Sequence, residues 1–125
     1  MKGIVITPEN LMHVDDFSAP LYKSVGKAVG GWIEIVHPKG LPLPYCMVVN
    51  EEGLLLNLPL NLTGSMLYET AKHGCPIVGT IVLLKDGVVD GEPDIVGLDA
   101  EDIIVLAAML SAMSGDGVTW EGAVR

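Results

Sequence analysis

Apolar residues in this chain recur with two different periods, and the periods separate strands from helices. Lys2 to Thr7 carries Ile4, Val5 and Ile6 up to the break at Pro8, which reads as a strand. Pro8-Glu9-Asn10 is turn chemistry, so Leu11 to Val14 is expected to pair back as a second strand. Trp32 to Val36 alternates strictly, with Trp32, Glu34 and Val36 on one side and Ile33 and Ile35 on the other. Tyr45 to Val49 is a further strand. Asn50-Glu51-Glu52-Gly53 has Asn and Gly at the first and fourth positions of a type I turn, so Leu54 to Leu56 is expected to return as a hairpin partner until Pro59 stops it. Ile77 to Leu84 is apolar on both sides and is expected at the sheet centre, covered on both faces. Lys85-Asp86-Gly87 reads as a turn, with Val88-Val89 opening a short edge strand.

Helical spacing appears in three places. Leu21, Val25, Ala28 and Val29 form one stripe, with Ser18 as N-cap, Pro20 in the first turn and Gly30-Gly31 at the end. Thr63 or Ser65 caps a short helix over Met66 to Lys72, which His73-Gly74-Cys75-Pro76 breaks. Asp99 caps the last helix, with Glu101 and Asp102 in its first turn, and the helix runs to about Ser114 before Gly115. From Ile103 to Met113 that helix is apolar nearly all round, which predicts that it is covered on all sides, by a second subunit in a chain this short. The order of elements predicts an α+β single domain over residues 1–115, with a mostly antiparallel twisted sheet and two main helices packed on one side. Residues 116–125 read as a C-terminal tail that folds back or packs across a subunit interface.

Composition adds three limits. With 125 residues, half of them hydrophobic and only 18% charged, the chain suits one packed core and carries more apolar surface than a small monomer hides, which favours a homo-oligomer. A net charge of −9, with Arg125 as the only arginine, disfavours double-stranded nucleic acid. The opening MKGIVITPEN lacks the form of a secretory signal, and Ile103–Met113 is too short to cross a bilayer, so no membrane and a cytoplasmic location are expected. Cys46 and Cys75 then read as free thiols.

Several segments together resemble a known family: Gly30-Gly31-Trp32-Ile33-Glu34-Ile35-Val36, Met47-Val48-Val49-Asn50-Glu51-Glu52-Gly53, Leu58-Pro59-Leu60-Asn61, and Ile77-Val78-Gly79-Thr80-Ile81-Val82. The chain resembles, from Met1 to about Met113, a family of small phage and mobile-element proteins catalogued as a domain of unknown function. That resemblance implies a phage or mobile-element setting in a bacterial host cytosol. It transfers no catalytic residue. The stretch from Pro38 to Pro44 and the tail after Gly115 are longer than the family pattern and mark places for a specialised loop or interface.

The chemistry of the side chains points to binding. His13, His37 and His73 lie in separate segments, and HxxH, HExxH, CxxC, GxSxG, P-loop and GxGxxG patterns are all absent, so no catalytic residue, no metal ligand and no cofactor is expected. Asn57 and Asn61 offer uncharged donors and acceptors that suit nucleobase edges. Thr63, Ser65 and Tyr68 follow them, Trp32 and Tyr45 supply stacking faces, and Lys39, Lys72 and Arg125 are the cations to answer phosphates. Each of these residues also has an ordinary structural reading as a cap, a turn residue or a core aromatic. The resulting expectation is a non-catalytic phage-type homo-oligomer that sequesters a small nucleotide-like host immune signal, such as a cyclic oligonucleotide, at subunit boundaries. The alternative is an acidic interaction protein that inhibits a host defence enzyme in the manner of an antirestriction DNA mimic, or an accessory protein of a mobile element.

Overall fold

The computed structural model of the protein describes residues 1–114 and 119–120. In chain order the elements are β1 (Lys2–Ile6), β2 (Leu11–Asp16), α1 (Leu21–Val29), β3 (Ile33–Val36), β4 (Tyr45–Asn50), α2 (Leu62–Leu67), α3 (Thr70–His73), β5 (Ile81–Val89), β6 (Glu92–Val96), α4 (Ala100–Ser114) and β7 (Thr119–Trp120). The strands make one sheet in the order β3-β4-β5-β1-β2-β7, and β6 pairs with the far half of β5. Every pairing is antiparallel except that of β2 with β7, which is parallel and sets Thr119 and Trp120 opposite Leu11 and Met12. The tail expected after residue 115 therefore returns to its own sheet at residues 119–120; the rest of it lies outside the described residues.

The α+β class expected from the sequence holds. The helices, however, do not share one side. Successive residues of the inner strands point to opposite faces. Ile4, Ile6, Met47, Ile81 and Leu83 form one face, which α4 covers through Ile103, Leu106 and Leu110, with Leu67 of α2 beside them. Val5, Cys46, Val48, Val82 and Leu84 form the other, which α1 covers through Leu21, Val25 and Val29. Ile81, Val82, Leu83 and Leu84 are all fully buried, so the central strand needs a layer on each side.

Three further expectations change. Leu54–Leu56 is not a strand: β4 already lies between β3 and β5 and has no edge left to offer. Residues 51–57 close instead into a compact turn, with the Leu56 N–H donating to Glu52 O, Asn57 N–H to Leu54 O and Leu58 N–H to Gly53 O. Lys85-Asp86-Gly87 is not a turn but the middle of β5. Gly87 is there because a Cβ at that position would sit 2.7 Å from Val96 Cγ1 on the neighbouring strand. The chain reverses at Asp90-Gly91, both at positive φ, the backbone of a tight hairpin turn. Finally, α1 starts after Pro20 without a side-chain cap, and Ser18 contributes its carbonyl to the Ser24 hydroxyl at 2.7 Å.

The last helix begins as expected. The Asp102 N–H donates to Asp99 Oδ1 and the Asp99 N–H to Asp102 Oδ2, both at 2.9 Å, a reciprocal capping box. Its outer side is open in the single chain, with Ile104 67% and Val105 48% exposed.

Candidate functional site

Polar side chains inside this fold are nearly all engaged. Among the described residues no buried side-chain nitrogen or oxygen lacks a partner. The strongest cluster ties α4 to the sheet: Asp102 accepts from the Tyr45 hydroxyl at 2.8 Å and from Lys85 Nζ at 2.6 Å. Partial burial alone would push the Asp102 carboxyl up. The Lys85 ammonium, the Asp99 N–H and the Tyr45 hydroxyl outweigh that and hold it down at about 2. Tyr45 is thus a core ring with its hydroxyl committed, rather than a stacking face.

Asn61 is fully buried. Its amide nitrogen donates to Ile6 O at 3.0 Å and Gly79 O at 2.9 Å, while its oxygen accepts the Gly64 N–H at 2.9 Å and so caps α2. The Thr63 hydroxyl donates to Asn10 Oδ1, and Ser65 bridges both the N–H and the C=O of Ile77. The expected cap at Thr63 or Ser65 is therefore Asn61, and all three side chains face inward. The other expected site residues are scattered. Asn57 is exposed on the compact turn at a left-handed φ of 55°. Lys39 is exposed in the loop after β3, and Lys72 pairs with Glu69 at 3.1 Å. Arg125 lies outside the described residues. Trp32 is exposed just before β3, where its carbonyl accepts the Glu51 N–H at 2.8 Å.

Of the expected site residues, Tyr68 lies in the wall of a cleft of about 420 Å³. Glu34 and Val36 of β3, Val49 and Asn50 of β4, Glu51 and Gly53–Leu55 of the turn, and Cys75–Val78 complete it. Asn50 shapes the rim: its Nδ2 donates to Val29 O at the end of α1, and its Oδ1 accepts the Glu52 N–H at 2.8 Å, an Asx turn that starts the loop. The lining is apolar except for Asn50, two carboxylates, the Tyr68 hydroxyl and the Cys75 thiol, and among the described residues it contains no lysine or arginine. Such a cleft repels phosphate and attracts cations. A shallower groove beside α1, about 750 Å³, does contain Lys23 and Lys27, but Asp15 and Asp16 line it as well. Glu34 is not among the expected site residues, although strand alternation puts it on the face of Val36. The outward leucines of the turn are not among them either, because their sequence reads as a strand.

Among the described residues no group of three His, Cys, Asp or Glu side chains is arranged to hold a metal ion, and no helix is long and apolar enough to cross a membrane. Cys46 is buried, which pushes its thiol up to about 12, while Cys75 is exposed at the cleft.

Fold and site together define a small acidic α+β protein whose sheet ends, among the described residues, in the unpaired outer edge of β3. The chain belongs to the family described as Domain of unknown function (DUF3846), whose model matches residues 1–111. Comparison with curated proteins and with solved structures gave no match.

Proposed function

We propose that this is a non-catalytic phage-type interaction protein that acts by seizing a protein partner with an apolar and basic surface. A host enzyme is the natural candidate for that partner. The observation that carries the reading is the loop before α2. Leu54, Leu55, Leu56 and Leu60 are between 53% and 84% exposed, with Trp32, Leu62 and Met66 exposed as well. Ordering seven large apolar side chains in water has no return within one chain. Leu54 and Leu55 line a cleft whose charged lining residues are Glu34 and Glu51, which selects basic over acidic partners. The nucleotide-binding reading has less support, because Asn61, Thr63 and Ser65 are committed inside the fold and the cleft offers, among the described residues, no cation to a phosphate.

The test is a photo-crosslinker placed at position 55 in host cytosol, with the adducts identified by mass spectrometry. A protein adduct whose yield falls steeply with salt is expected. No protein adduct, together with a nucleotide co-purifying in native mass spectrometry, would replace this reading with the second one. That second reading is a homo-oligomer holding a nucleotide at subunit boundaries, and the open outer side of α4, with Ile104 and Val105, favours it.

A further inference from the structure

The strand β3 ends the sheet, and among the described residues nothing pairs with it on its outer side. Its hydrogen-bonding phase can be fixed. Glu51 N–H donates to Trp32 O across the β3–β4 register, so Trp32 and Glu51 are a hydrogen-bonded pair, and by alternation so are Glu34 with Val49 and Val36 with Met47. The N–H and C=O groups of Ile33 and Ile35 therefore point away from the sheet.

Clefts open on both faces of this edge. On one face is the cleft of Glu34, Val36 and Glu51; on the other, about 550 Å³ lies between Ile35, His37, Asp86 and the β6 residues Pro93, Asp94 and Ile95. His37 Nε2 is held by Asp86 at 2.9 Å, which leaves Asp94 as the further carboxylate there. Among the described residues neither cleft is lined by lysine or arginine. We infer that β3 accepts an extended basic segment of a protein partner as an added strand, pairing with Ile33 and Ile35 and sending alternate side chains into the two acidic clefts. The inference rests on the reading above and names the mode of engagement. A strand added to an open edge takes affinity from main-chain hydrogen bonds and selectivity from pockets that receive alternate side chains. Charge decides the occupant: a second copy would lay Glu34 against its own counterpart in a chain of net charge −9, whereas lysines and arginines would meet Glu34, Glu51 and Asp94.

The experiment pans a displayed library of random octapeptides against the full chain. Enriched peptides are expected to carry lysine or arginine, and the winning synthetic peptide is expected to slow amide exchange at Ile33 and Ile35 by about tenfold or more. Ile35→Pro removes an outward N–H and no ladder bond, so it is expected to abolish retention with an unchanged melting midpoint. Glu34→Gln with Glu51→Gln is expected to erase the basic preference. Absence of enrichment overturns the inference, and so does enrichment indifferent to a folded Ile35→Pro chain. If that variant does not fold, the exchange measurement on the unaltered chain decides. Protection of Ile33 and Ile35 that grows with protein concentration and needs no peptide gives the edge to a second copy and also overturns it. A protein adduct at position 55 with unprotected β3 amides sinks only the strand-addition mode; a peptide held by β3 with no such adduct sinks only the leucine-loop reading.

Discussion

Residues 54–60 and residues 61–65 are neighbours in the chain and opposites in the fold. The first group is mostly leucine and faces water; the second is Asn, Thr, Gly and Ser around one leucine and, that leucine apart, is buried. The ordinary partition of apolar inside and polar outside is reversed on both sides of one peptide bond. The buried half has a complete structural account, since Asn61, Thr63 and Ser65 all spend their polar atoms on the backbone or on Asn10. The exposed half has none within one chain. A segment that sets aside the rule without local compensation is where function is to be sought.

The comparison breaks most visibly at Asn61. Asn61→Ala removes three buried hydrogen bonds and the cap of α2, leaving Ile6 O, Gly79 O and the Gly64 N–H without that partner. A loss of about 3 kcal/mol is expected, read as a lower urea midpoint at unchanged slope. If instead the stability hardly changed and a ligand were lost, Asn61 would be a binding residue after all.

Asp102 is the next largest. Asp102→Ala removes the partner of Tyr45, Lys85 and the Asp99 N–H, and about 1–2 kcal/mol is expected to go with it. The pH dependence has a definite sign. The folded carboxyl lies at about 2, below its ordinary 3.8, so its contribution is present above about pH 4 and is lost as the pH falls from there towards 2. Asp102→Asn is expected to flatten that stretch of the acid-unfolding curve, measured by equilibrium denaturation at a series of pH values.

Legibility of the sequence follows the same division. The capping box of α4, the stripe of α1 and the central strand were readable because local chemistry and final environment agree there: Asp99 and Asp102 sit three apart, and Leu21, Val25 and Val29 face one core. Asp86-Gly87 and Asp90-Gly91 are both hairpin dipeptides, and only the packing of Gly87 against Val96 shows that the second is the turn. The split of helices between two faces was implied by a strand apolar on both sides, yet helix placement depends on crossovers that periodicity does not encode. Leu54–Leu56 reads as a strand because its apolarity does not show that β3 and β5 already flank β4, and Asn57, Asn61, Thr63 and Ser65 look alike in sequence although only Asn57 faces water.

The two thiols sharpen the contrast between core and cleft. Cys46 is buried and its thiol is pushed up to about 12, so almost no thiolate exists near neutrality; Cys75 is exposed beside the turn. A maleimide reagent is expected to modify Cys75 rapidly in the native chain and Cys46 only on denaturation, with mass spectrometry reporting one adduct and then two. A partner seated in the cleft should slow the first reaction, whereas one docked on the outer side of α4 should leave it unchanged.

The smallest stability effect is the most informative. Leu55 is 84% exposed, so Leu55→Ser forfeits almost no burial within the chain and is expected to change stability by less than about 0.5 kcal/mol. Circular dichroism melts should overlay those of the unaltered protein. If the leucine loop is the central contact surface, the same change should lower capture of the partner identified by cross-linking, because truncating a side chain that fills a pocket at the centre of an interface costs about 1 kcal/mol or more. A melt that drops by several degrees would mean that Leu55 packs within the chain, and the inversion between residues 54–60 and 61–65 would lose its functional meaning.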